Sequence, residues 1–166
     1  MKKPNLLLTL LFALTITVTT SCRKKGCTNR DADNYEENAK KDDGSCMCRY
    51  ASAVRIDAIP ATNGSGSSWD FGAPDLYVRF SKSSSPTWDY VTNIASDAAT
   101  PASLILPSGD IKFTNENWQF QIVDYDTPDP DDIIFSGTFN PLSNGGSGNI
   151  VVTGTGVSLT FIYTTK

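Results

Sequence analysis

Residues 124–132 read Asp-Tyr-Asp-Thr-Pro-Asp-Pro-Asp-Asp, and five of these nine positions are carboxylates with no lysine or arginine among them. Asp124 and Asp126 stand two residues apart at the end of a strand-like run, which projects both side chains from one face. Pro128 and Pro130 stiffen the loop that returns Asp131 and Asp132 toward them. Carboxylates held about 5 Å apart repel by roughly 1–3 kcal/mol per pair, depending on the effective dielectric. A loop that gathers them without a basic neighbour favours a bound cation. Calcium, which accepts roughly six to eight oxygens in loose geometry, suits such a loop better than magnesium. The plainer reading of the same residues is a solvated acidic turn.

A second segment, Trp69-Asp70-Phe71-Gly72-Ala73-Pro74-Asp75-Leu76-Tyr77-Val78, sets Asp70 and Asp75 around a tight turn that leads into a strand. Together the two segments resemble the calcium-binding loops of the C-two domain, the module of synaptotagmin and protein kinase C. One loop of that family ends in Asp-Pro-Tyr-Val after an earlier aspartate, and here Asp70 and Asp75-Leu76-Tyr77-Val78 take those places. The other carries aspartates at offsets 0, 2 and 8, matched by Asp124, Asp126 and Asp132, with Ile133, Ile134 and Gly137 following. The run from Asn115 to Phe120 resembles the family only loosely. Leu76 replaces the family proline, and Phe135-Ser136 precede the glycine.

The resemblance spans residues 51–163 and implies an antiparallel β-sandwich. It implies calcium ligands at Asp70, Asp75, Asp124, Asp126 and Asp132, with Asp129 and Asp131 as rim charge or backbone-carbonyl positions. It also implies that calcium bridges the loops to anionic phospholipid. Trp69 and Phe71 would then be membrane contacts, or otherwise aromatics at the edge of the sandwich.

The elements that must position these loops are strands. Runs at 53–59, 76–80, 118–123, 150–152 and 157–163 are rich in β-branched and aromatic residues, most of them alternating with a period of two. Turn-formers such as Asn63-Gly64-Ser65-Gly66, Pro107-Ser108-Gly109-Asp110 and Asn144-Gly145-Gly146-Ser147-Gly148 separate them. No window after Ala51 keeps a helical period. The fold class is therefore all-β, an antiparallel sandwich of about eight strands over residues 49–166.

The first residues belong to export rather than to the fold. Lys2 and Lys3 precede an apolar run from Leu6 to Val18, too short to span a bilayer comfortably, and small polar residues lead to Cys22. Residues 1–21 read as a signal peptide, with Cys22 the lipid-attachment residue of an envelope lipoprotein at the outer membrane or cell surface. Ordinary cleavage near Ser21, giving a secreted protein, is the alternative. Residues 22–26 read as a short solvated tether.

Residues 27–48 form a cysteine-bounded segment with little apolar content. It resembles the short repeats ending in Asp-Asp-Gly-Ser-Cys of Bacteroidetes surface proteins. Cys46 and Cys48 are too close in sequence to pair readily, so a disulfide is expected from Cys27 to Cys46 or Cys48. Closing about twenty residues contributes on the order of 3 kcal/mol in the chain-entropy model. Asp31 and Asp33 read as a solvated acidic loop, because the glycine and terminal glutamate of an EF-hand are missing.

The chain has no histidine. That excludes Ser-His-Asp and Cys-His chemistry and any imidazole ligand. Residues 49–166 carry six Lys/Arg against twelve Asp/Glu, which argues against nucleic acid as a partner. The function expected is thus calcium binding without catalysis, with a phospholipid or a surface protein as the further partner. A calcium-stabilised structural or adhesion domain is the first alternative. A carboxylate hydrolase, which needs two acids with opposite protonation, is the second.

Overall fold

The computed structural model describes residues 23–63, 65–69, 72–143 and 148–166. The expected signal peptide, Cys22, Asp70 and Phe71 lie outside the described residues. Among the described residues there is no helix, and none is long and apolar enough to cross a membrane.

A two-stranded parallel pair, β1 (Lys25–Gly26) with β2 (Lys41–Asp42), belongs to the N-terminal unit. The sandwich follows, with β3 (Arg49–Ala58), β4 (Leu76–Lys82), β5 (Tyr90–Val91), β6 (Ala102–Ile105) and β7 (Ile111–Lys112). It is completed by β8 (Trp118–Asp124), β9 (Asp132–Phe139), β10 (Asn149–Gly154) and β11 (Val157–Thr165). One sheet runs β10-β11-β3-β6 with β7 also on β3, and the other runs β5-β4-β8-β9. Every pairing in these two sheets is antiparallel. The architecture is the expected all-β sandwich, with nine strands instead of about eight.

Alternation builds the core. In β8, Trp118, Phe120 and Ile122 are buried while Gln119 and Gln121 face outward, and in β11 Leu159, Phe161 and Tyr163 are buried. The alternation in β3 slips between Ala51 and Val54, opposite the register irregularity between Ile162 and Tyr163 of β11. A β-bulge there lets both halves of the strand face inward. Phe161 sits at the junction, its ring 4.5 Å from Phe139, 5.3 Å from Phe80, 5.9 Å from Phe113 and 6.1 Å from Phe120.

On the side where β9 and β10 form the sheet edges, Phe135 lies across the gap. Gly154 is bare because a Cβ there would overlap the Phe135 ring, and at Gly137 a Cβ would stand 2.7 Å from Phe120 Cε1. Glycine serves here to admit aromatic rings, not to turn the chain.

The N-terminal unit is docked on the sandwich, and Lys25–Gly26 of the expected tether belong to it as β1. Lys25 and Gly26 pair with Lys41 and Asp42, and the Lys24 carbonyl accepts from the Lys40 amide. The disulfide joins Cys27 to Cys46, leaving Cys48 as a buried free thiol. Cys27, Ala32 and Cys48 form a small buried cluster against Cys46 and Tyr50.

Asp31 and Asp33, read above as solvated, make the seam. Asp33 accepts from Arg49 Nε at 2.7 Å, and Asp31 Oδ1 accepts the Asn115 amide at 2.7 Å. Cys48 and Lys166 exchange backbone hydrogen bonds. All of these partners lie at one end of the sandwich, where β3 begins and β11 ends.

Candidate metal centre

Strand register brings the acidic segments together at the other end. Leu76 pairs with Asp124, and Asp124 pairs with Asp132, so the starts of β4 and β9 flank the end of β8. Asp124 is fully buried. Its Oδ1 accepts the Asp75 amide at 2.7 Å, and the Tyr125 amide donates to the Asp75 carbonyl at 2.8 Å. Asp75 Oδ1 in turn accepts the amide of Asp97 at 2.8 Å. Asp97 occupies the left-handed region with φ 50°, a conformation that aspartate tolerates better than most residues. Its own carboxylate lies toward Gly72, where a Cβ would meet Oδ1 at 3.1 Å.

The acids therefore divide into two groups. Asp75, Asp97 and Asp124 form one chain of carboxylate-to-amide bonds. Asp126, Asp129, Asp131 and Asp132 line an open cleft of about 550 Å³ together with Ser68, Trp69 and Pro130. Asp126 is half-buried there, and the other three acids are exposed. No lysine or arginine lines the cleft.

Asp124 and Asp126 do not share one environment, contrary to the strand-face expectation. The chain leaves β8 at Asp124, so the two-residue periodicity stops there. Among the described residues, no three carboxylates stand close enough together to hold a metal ion as they are placed. Several of their oxygens are turned instead to amide and hydroxyl donors. The donor chemistry still fits a hard cation, being oxygen throughout.

Asp97 went unmarked in the sequence, since nothing around Ile94-Ala95-Ser96 distinguishes it. The tertiary bridge between Leu76 and Ala95, with the Ala98 amide on the Pro74 carbonyl, carries it to Asp75. Trp69 lines the cleft with its indole N–H donating to the Pro60 carbonyl at 2.8 Å.

Tyr77, matched in the sequence only as part of the Asp75-Leu76-Tyr77-Val78 run, has a role at the site that the run did not assign to it. Its hydroxyl donates to Asp131 Oδ2 at 2.6 Å, and Asp131 Oδ1 accepts the Asp126 amide at 3.4 Å, which ties the acidic loop to the sheet face. Burial first, and the bond to Asp131 second, raise its phenol from an ordinary 10.0 to about 12. The neutral phenol is the form the fold favours, so its stabilising contribution is complete below pH 10 and is lost as pH rises to about 12. Ultraviolet titration of the six tyrosines should show one ionising last, and that step should vanish in Tyr77→Phe.

No family model and no curated protein sequence matches the chain. Solved structures do. A C2 domain aligns with 72% of this chain and 98% of its own at 17% identity and a TM-score of 0.47. Human GIVD cytosolic phospholipase A2, in complex with methyl gamma-linolenyl fluorophosphonate, aligns with 70% of this chain at 16% identity and a TM-score of 0.44. Only 17% of the phospholipase chain is covered.

Proposed function

We propose that this chain is a calcium-binding β-sandwich module of an envelope lipoprotein. Its acidic cleft takes calcium and, through it, an anionic phospholipid or a surface protein. The observation that supports this is the cleft itself, walled by Asp126, Asp129, Asp131 and Asp132 with no basic side chain in its lining. Mutual repulsion of these carboxylates favours a cation that brings them closer. Asp75, Asp97 and Asp124 would then act from behind, holding the loop ends at the spacing from which the cleft can close.

The role is binding, not catalysis, and the setting is the cell envelope, with Cys22 carrying the lipid. Asp70 and Phe71 enter this reading through their sequence positions alone.

Calorimetric titration of calcium into the mature chain tests it, beside an Asp126→Asn, Asp132→Asn variant. Saturable binding is expected in the parent and a loss of at least tenfold in affinity in the variant. At a hundred times Kd, calcium should add about 2.7 kcal/mol of stability, which EDTA removes. Absence of binding heat together with an unchanged melting temperature in EDTA overturns the reading. Sedimentation with anionic vesicles then separates membrane docking from calcium used only to stiffen the loops.

A further inference from the structure

Three exposed apolar side chains converge on one place beside the acidic cleft. Val91, Ile94 and Tyr125 are 45%, 42% and 39% exposed, and all three line a groove of about 330 Å³. The groove lies on the outer face of the β5-β4-β8-β9 sheet, because its lining residues Tyr77 and Arg79 alternate in β4 with the core residues Leu76, Val78 and Phe80. That face is itself apolar here. Tyr77 pairs with Val123 across the ladder, and both are buried although neither belongs to the core between the sheets. Apolar and aromatic walls with a few placed polar groups are the usual form of a small-ligand site.

The lining holds two charged groups, one of each sign. Arg79 is fixed by its neighbours. Gln121 Nε2 donates to Ser136 Oγ at 3.0 Å, and Gln121 Oε1 accepts from Arg79 Nε at 2.8 Å. The guanidinium lies 5.3 Å from the Trp88 ring centroid. Arg79 makes no ion pair among the described residues, which leaves its terminal N–H groups as donors for a ligand. Asp131 accepts the Tyr77 hydroxyl at 2.6 Å and, with about four lone-pair sites on a carboxylate, can accept further donors.

We propose that this groove binds a neutral saccharide. The lining charges cancel, so a ligand with net charge is attracted on one side and repelled on the other. An anion is further disfavoured by the twelve acids against six bases of residues 49–166. A hydroxyl both donates and accepts, so a polyol satisfies Arg79 and Asp131 without a charge of its own. Tyr77, which holds Asp131, and Arg79 are two residues apart along β4, roughly 7 Å, a span that one sugar ring with its hydroxyls bridges. The C–H face of that ring packs on Tyr125 and Trp88, whose π faces carry negative potential. A bare alkyl chain would instead cover both polar groups without replacing their hydrogen bonds to water. Asp131 also walls the acidic cleft, but the groove takes its ligand without calcium.

The test is native electrophoresis of the mature chain, in EDTA, through gels carrying laminarin, mannan, xylan or dextran, with polygalacturonate as the anionic control. Retardation by at least one of the neutral polymers is expected, and none by polygalacturonate. Tyr125→Ala and Arg79→Gln should each weaken the retarding interaction about tenfold or more, with melting temperatures near the parent's. Val151→Ser, at an exposed position on the edge of the other sheet, should bind as the parent does.

Passage through every neutral gel at the parent's free mobility overturns the proposal. So does retardation that both Tyr125→Ala and Arg79→Gln leave unchanged, or retardation by polygalacturonate alone. Because calcium is absent throughout, failure of calcium binding in the calorimetric experiment leaves the groove intact, and an empty groove leaves the cleft intact.

Discussion

Phe161→Ala should lower the unfolding free energy by about 3–5 kcal/mol, the cost typical of emptying a buried phenylalanine site. The ring is fully buried between the sheets and meets four other phenylalanines, so no side chain can collapse into the space without leaving its own contacts. A loss of that size is a large share of the roughly 5–15 kcal/mol that holds an ordinary domain folded. Urea denaturation followed by tryptophan fluorescence measures it. Trp118 is itself buried, its ring 6.2 Å from Phe80, and reports from inside the same cluster. Ile133→Ser is the contrast, because Ile133 is half exposed and should cost less than about 0.5 kcal/mol. Equal losses at both positions would mean that the junction is not where the two sheets are joined.

The strands that cross this core were legible because both faces speak in the sequence. Trp118-Gln119-Phe120-Gln121-Ile122 alternates without a break, and so does Val157-Ser158-Leu159-Thr160-Phe161. Strand β9 was not legible. Asp132-Ile133-Ile134-Phe135-Ser136-Gly137-Thr138-Phe139 has no period of two, and a register shift opposite Ile122 and Val123 disrupts its facing. As an edge strand it buries fully only Phe139. Ala102–Ile105 was missed for another reason: four residues behind Pro101 are too few to establish a pattern.

The acidic end divides in the same way. Local order gave the two segments and a family likeness placed them near each other. Which carboxylates face the cleft and which hold backbone amides depends on where each strand stops, and the residue types do not carry that. The contact from Asp97 to Asp75 spans twenty-two positions and has no local signature at all.

Arg49→Met is expected to cost about 2–3 kcal/mol and to loosen the N-terminal unit from the sandwich. The Arg49 side chain is 6% exposed, with Nε on Asp33, a further bond to the Pro141 carbonyl and the guanidinium 4.7 Å from the Tyr163 ring centroid. Breaking a wholly buried ion pair costs about 3–5 kcal/mol because the remaining charge is stranded. Asp33 is 28% exposed and can rehydrate, which puts the expected loss below that range. Methionine keeps the apolar stem against Tyr163, so what is lost is the charge and its donors.

Cys48 supplies a local readout. It is a free thiol, 5% exposed, on the seam between the unit and the sandwich, and it accepts from the Asn29 amide group at 3.3 Å. Alkylation of Cys48 should be slow in the parent and faster in Arg49→Met, with the Cys27–Cys46 disulfide intact in both. If labelling and melting are both unchanged, the backbone exchange between Cys48 and Lys166 is the true fastening, and Asp33 only lies beside it. If labelling alone accelerates, the unit opens as a local event below global unfolding.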